Sequence, residues 1–372
     1  MSELLPVVLT SMILAVLSHY TSVYERNGMR YVRREWVFYA AMAVVMILFV
    51  GLRTDYNDTA MYRYGYEHIM KAGDPVFLGR DWRLSVDPGF NAVNQLLVNL
   101  GVDVQTWLIF YAAITIAIYL WFIRKYSCNL WLTIFLFITV GSYTFTLAAI
   151  KQCVAVAFCL VAVDRALKKK WLPFVLWVAL GSLFHAYALI YFITPLVLFN
   201  PWTKLTYWML AAFGAAGILL QPLLGTIINI TTMLGEGYSV EEFSGEGVNP
   251  FRLAVVAVPV VLSFMTRKVI AQKNDRVMNV LVNLVTLNAT IMYVALFGTA
   301  NYFARLANYF IIFQCITIPW LFSNFDRATR RWLIPAAVVC YIAYFYYANV
   351  INQHFDSGFS SVTLLGWLSS LV

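Results

Sequence analysis

Apolar stretches long enough to cross a bilayer recur from one end of the chain to the other. This repetition narrows the possible folds more than any motif does. Spans read at about 4–20, 36–52, 104–123, 130–147, 152–167, 171–184, 186–199, 205–228, 253–266, 277–298, 306–322 and 332–349. A water-soluble domain carries about 25% charged residues, whereas here the share is 12%, with 62% hydrophobic. A soluble globular fold, a disordered tail and a fibrous repeat are thereby excluded, and no polar block is long enough for a second domain. Residues 1–372 therefore read as one all-α, polytopic integral-membrane domain. Met1-Ser2-Glu3 lacks a basic region and no small-x-small site follows 4–20, so no cleavable signal is expected. The five cysteines lie in or beside apolar stretches without metal or disulfide spacing, and read as packing residues.

Orientation follows from the basic residues, which collect in cytoplasmic loops. Arg26, Arg30, Arg33 and Arg34 place the first loop inside and the N-terminus outside. The segment 171–199 has 29 residues, too many for one crossing and too few for two full ones. Read as a hairpin, it leaves 18 basic residues inside and 8 outside, with 5 acidic residues inside and 13 outside. Read as one span, it would export the Arg267/Lys268/Lys273/Arg276 cluster, so the hairpin is preferred. About twelve membrane segments result, with both ends outside. A hairpin arm of about 14 residues rises only about 21 Å, so the tip at Phe184-His185 should lie below the outer surface. A polar tip there must be buried in protein or face water, which implies a cavity open to the exterior.

Two polar regions face outward, at about 53–103 and 229–250. In the first, Asp87-Pro88-Gly89 reads as a helix start with Asp87 as N-cap. The stripe Phe90, Val93, Leu97 and Leu100 then predicts a short amphipathic helix on the outer interface. The second, Gly-rich and acidic around Glu236–Glu246, reads as a loop.

Three constellations carry chemistry. Arg53, Lys151, Arg252 and Arg305 sit at outer span boundaries, where cations are unexpected, and the last three stand at helix N-termini that also favour anions. Together they suggest a membrane-embedded site for a lipid phosphate or pyrophosphate; individually each could snorkel or pair with an acid. Asp55-x-x-Asp58, with Glu67 and His68 nearby and Arg80, Asp81, Arg83 and Asp87 later, could supply a base, orient the cations, hold a metal, or be a solvated loop. His185, ionisable and within the bilayer, is a candidate base for a sugar hydroxyl, or else a satisfied buried histidine.

Gly51-Leu52-Arg53 ending a span, then Asp55, Asn57-Asp58-Thr59 and Tyr62, resembles the start of the EpsG family of Wzy-like surface-polysaccharide polymerases. Asp87-Pro88-Gly89-Phe90, Lys151-Gln152 opening a span, the Lys168-Lys169-Lys170 turn, Phe184-His185 and, more loosely, Arg305 within 301–305 follow in order, over roughly residues 30–320. Position 151 departs from the family's usual Arg and is Lys here, which keeps the charge and loses the bidentate fork. The resemblance implies a GT-C-like glycosyltransferase of the bacterial cytoplasmic membrane with its site facing outward. It would join undecaprenyl-diphosphate-linked oligosaccharide repeat units and release undecaprenyl diphosphate, with no nucleotide sugar, metal or other cofactor. Arg53, Lys151, Arg252 and Arg305, with Asp87 and Tyr62, would hold the lipid-linked substrate. His185, Asp55 or Asp58 would be catalytic. A chain-length regulator is a candidate partner; nucleic acid is not. Alternatives are another GT-C transferase, an O-antigen ligase, a lipid-linked oligosaccharide flippase and, more remotely, an O-acyltransferase.

Overall fold

Polar residues at the ends of apolar segments decide where the helices begin. In the computed structural model, which describes residues 3–21, 24–26, 29–31, 35–72, 87–233, 247–297, 300–359, 366 and 369, Asp103 caps helix α5 by accepting from the Gln105 and Thr106 amides at 2.9 and 3.1 Å. Burial alone would raise the Asp103 carboxyl, but these bonds from Thr106 and Gln105 outweigh it and hold the group below the usual range. Its support for α5 is therefore present above the ordinary carboxylate pKa and fades as pH falls through the depressed value. Asn129, Asn249 and Asp275 cap three other helices in the same way.

The chain divides into two units, Met1–Phe192 with Ala336–Val372, and Ile193–Pro335. The first begins with α1 (Leu4–Tyr20), a two-stranded antiparallel ribbon β1 (Tyr24–Arg26) and β2 (Met29–Tyr31), and α2 (Glu35–Gly51). Outside the apolar segments come α3 (Thr59–Ala72) and α4 (Pro88–Asn99). Next are α5 (Val104–Tyr126), α6 (Leu130–Thr139), α7 (Ser142–Ala148), α8 (Ile150–Leu167) and α9 (Trp171–Ser182). Helix α1 packs on α2 and α6, α2 on α5, α5 on α8, and α8 on α9. The second unit holds α10 (Lys204–Met233), α11 (Pro250–Met265), α12 (Arg267–Lys273), α13 (Arg276–Val294), α14 (Ala300–Asn308) and α15 (Ile311–Phe322), with α13 at its centre. Helix α16 (Arg327–Tyr346) runs on through a π-helical stretch, Tyr347–Asn352.

The protein is a polytopic, helical membrane protein. Val104–Tyr126, Arg276–Val294 and Arg327–Asn352 are each long and apolar enough to cross a membrane, and two bent pairs raise the number to five among the described residues. The expected span 130–147 is one of these pairs, bent by 47° between α6 and α7, where Gly141 adopts φ +89°. The span at 253–266 continues into α12 across a 69° bend.

The predicted hairpin is present, with one correction. Phe174 and Phe192 lie 6.0 Å apart ring to ring, and Gly181 meets Ala188, so the two arms run antiparallel. The second arm, Ala186–Val197, is a 3₁₀ helix rather than an α-helix. At about 2.0 Å per residue it extends further than the expected arm, and Pro195 within it has no amide to donate. Its end is pinned inside the second unit by Asn283 of α13, whose amide donates to the Val197 and Phe199 carbonyls at 2.9 and 2.7 Å. The acidic stretch 236–246 and Arg80, Asp81 and Arg83 lie outside the described residues.

Candidate functional site

Helix α4 forms where the sequence places it, but its buried face is mixed: Phe90 and Leu97 of the apolar stripe are joined there by polar residues. Asn94 and Gln95 are buried. Asn94 accepts from the Trp107 indole at 2.8 Å and the Tyr111 hydroxyl at 2.9 Å, while Leu100 is 68% exposed. The expectation of a helix lying on the interface by its apolar stripe is thus corrected: buried amide bonding to α5 orients α4.

Asp87 occupies the position before α4, yet its side chain makes no cap bond. Its backbone is left-handed at φ +62°, a costly state for a non-glycine residue, and its carboxylate instead accepts from Lys151 Nζ at 3.0 Å. Pro88 then starts the helix. The Gly89 amide donates to the Leu183 carbonyl at 2.8 Å. A side chain at position 89 would meet Leu183 Cβ at 2.7 Å and its carbonyl oxygen at 3.0 Å, so only glycine lets α4 dock on the hairpin tip. Gly89→Val should force the two apart and cost about 1–3 kcal/mol. A drop in Tm of the purified protein would register this, and an unchanged Tm would contradict the docking geometry.

Lys151 stands in the first turn of α8. Its ammonium, about a quarter exposed, lies 5.0 Å from the Phe90 ring centre, and Phe90 is 6.1 Å from the Tyr62 ring. Burial, then the carboxylate of Asp58, and more weakly that of Asp87, push the Tyr62 phenol well above its ordinary value. Tyr62 therefore stays protonated and can donate. It is carried by α3, a helix the sequence reading left as polar loop. The signal was the pair Tyr62 and Tyr66 one turn apart; Tyr66 stacks on Trp107 at 4.8 Å.

His185 is half-buried at the tip, edge-on to Tyr187 at 5.0 Å. Its neighbour Phe184 packs on Phe158, two turns along α8 from Lys151, at 5.3 Å. Asp55 and Asp58 are exposed. Asp55 accepts from the Tyr56 amide at 2.8 Å, and the chain segment after α16 straps this loop: the Thr54 and Asp55 amides both donate to the Ser357 carbonyl. Sequence reasoning missed that strap.

Arg53 differs from the other three cations. It is 1% exposed, donates from Nε to Thr59 at 2.9 Å and from Nη1 to the Val50 carbonyl, and so joins the end of α2 to the start of α3. In the second unit, Arg252 Nη2 donates to Asn308 at 3.3 Å. Arg305 is exposed and lies in the last turn of α14, not at the helix N-terminus expected from the sequence, three residues before Asn308 and so on the same helix face. Lys151, Asp87, Tyr62, Phe90 and the tip beneath them form one cluster; Arg252 and Arg305 form another.

The model of the EpsG family matches residues 36–362. No curated protein and no solved structure matches the chain. With that match over most of its length, the chain belongs to the EpsG family, whose members are Wzy-like, polymerase-type membrane proteins.

Proposed function

We propose that the protein polymerises surface polysaccharide from undecaprenyl-diphosphate-linked oligosaccharide repeat units at the extracytoplasmic face of the bacterial cytoplasmic membrane. The observation that carries this reading is Lys151: a cation at a helix N-terminus, oriented by Asp87 and backed by a protonated Tyr62, in a chain of this family. A paired ammonium still has protons to offer, and a helix N-terminus adds favourable potential for phosphate.

In the proposed reaction, a hydroxyl at the non-reducing end of the acceptor repeat unit attacks the anomeric carbon of the donor chain. The bond from that carbon to the pyrophosphate oxygen breaks, and undecaprenyl diphosphate leaves with the electron pair. Lys151 stabilises the charge on the leaving group; for Arg252 and Arg305, in the second unit, a role with the lipid-linked substrate rests on the sequence pattern and the family. Arg53, being buried, acts by fixing the start of α3 and hence Tyr62. His185 takes the hydroxyl proton, with Asp55 or Asp58 as the alternative base. The twelve-segment GT-C-like architecture belongs to the same proposal, as does a chain-length regulator as partner.

Arg305→Ala should raise the barrier by about 2–4 kcal/mol. Cells carrying it at wild-type expression should lose the ladder of long polysaccharide and accumulate single repeat units on the lipid carrier. A normal ladder would remove Arg305 from the assignment.

A further inference from the structure

The last turn of α5 and the turn joining α8 to α9 form a cationic platform at the other end of α8 from Lys151, about 25 Å along the helix. Six cations stand on it: Arg124 and Lys125 of α5, Arg165 near the end of α8, and Lys168, Lys169 and Lys170 of the turn. All but the half-buried Arg165 are exposed. The one carboxylate beside them, that of Asp164, is fully buried and already holds Lys125 and Lys168, the latter at 2.9 Å. Lys169 and Lys170 pair with no carboxylate among the described residues. The turn is closed by its own backbone. The Lys168 and Lys170 amides donate to the Arg165 carbonyl at 3.1 and 2.9 Å, and the Lys169 amide donates to that of Ala166 at 2.9 Å. Lys169 stands there with a left-handed backbone, φ +58°, a state glycine adopts more easily, so a charge is kept against conformational preference. The platform borders apolar surface: Trp121 and Trp171 are exposed, and Leu172, Val175 and Leu176 continue that surface along α9. Lys125 Nζ lies 5.0 Å from the Trp121 ring centre. Because α5 is long enough to cross a membrane, its last turn stands at the bilayer boundary, where tryptophans and cations meet lipid headgroups.

We infer that this platform binds an anionic phospholipid of the leaflet at this end of α8, with the headgroup phosphate on the lysine turn and the acyl chains against α9. Six cations facing one carboxylate select an anionic headgroup over a zwitterionic one. The apolar flank beside the cations selects a lipid over a soluble polyanion, which has no use for it. The bound lipid would brace the corner where α5, α8 and α9 pack. Its distance along α8 from Lys151 makes this site separate from the proposed substrate site, and the two stand or fall independently.

The test follows thermal unfolding of the purified full chain in detergent during titration with short-chain phosphatidylglycerol or phosphatidylcholine. Phosphatidylglycerol should raise Tm by about 2–4 °C in a saturable manner, and phosphatidylcholine should not. Lys169→Gln with Lys170→Gln, which leaves the Asp164 pairs intact, should move the titration midpoint to about 30-fold more lipid, the effect of two charges at an anionic surface. Lys169→Gly, which relieves the left-handed backbone, should keep the lipid-free Tm at or above that of the parent and still move the midpoint about fivefold. Equal Tm in the two lipids, or an unmoved midpoint in these variants, would overturn the inference. So would the same rise with glycerol 3-phosphate, which would mark a site for soluble phosphate, or with an oligonucleotide, which would mark a nucleic-acid surface.

Discussion

Replacing Lys151 with methionine is expected to lower polymer formation by about 10²–10³-fold at equal expression, the usual cost of losing one preorganised charge-stabilising donor. The size of the effect follows from where the ammonium sits. It is fixed on one side by Asp87 and Phe90, and partly exposed on the other. Two roles give different outcomes. If Lys151 only tethers α8 to α4, then Asp87→Asn, which weakens the same tether, should be as damaging. If Lys151 faces the leaving diphosphate, Asp87→Asn keeps the cation in place and costs much less. Lys151→Arg should retain polymer formation, because the charge and the reach to Asp87 survive. Comparable losses in the Lys151 and Asp87 variants would reduce Lys151 to a structural role.

Asp164→Ala is expected to destabilise the protein by about 3 kcal/mol while leaving the activity of the folded fraction unchanged. Asp164 is fully buried near the C-terminus of α8. One oxygen accepts from the Tyr126 hydroxyl at 2.6 Å and from Lys125, the other from Lys168 at 2.9 Å. The carboxylate thus ties the last turn of α5 to the last turn of α8. Its removal leaves a buried hydroxyl unpaired and a cluster of Lys125, Arg165 and Lys168 uncompensated. Because these lysines are partly exposed, the loss stays at the lower end of the range for broken buried pairs. A Tm equal to that of the parent protein would contradict this account.

Much of the fold was legible because bilayer-length apolar runs announce themselves: α1 at Leu4–Tyr20 coincides with its predicted span, and α2 at Glu35–Gly51 differs by a residue at each end. The hairpin also emerged from the length of segment 171–199 and the distribution of charge. Local conformation inside an apolar run was not legible, since hydropathy does not distinguish an α-helix from the 3₁₀ arm at Ala186–Val197, nor foresee the break at Gly141. The direction of a boundary side chain was equally hidden. Arg53 and Lys151 look alike in sequence, yet one is buried at the end of α2 and the other, partly exposed, pairs with Asp87. Asp87 was found for the wrong reason: the Asp-Pro-Gly pattern suggests a cap, whereas the structure spends the aspartate on Lys151 and the glycine on Leu183. Contacts distant in sequence left no trace. Ser357 bonding to Thr54, and Gly358 at φ +60° against the same residue, are set by tertiary packing.

The central claim is best tested with the purified protein and a single lipid-linked repeat unit as sole substrate, in detergent or vesicles containing chelator and no nucleotide sugar. The account predicts a ladder of products lengthening by one repeat unit, with one undecaprenyl diphosphate released per linkage. Movement of the intact lipid across the vesicle bilayer without elongation would contradict it and identify a transporter instead.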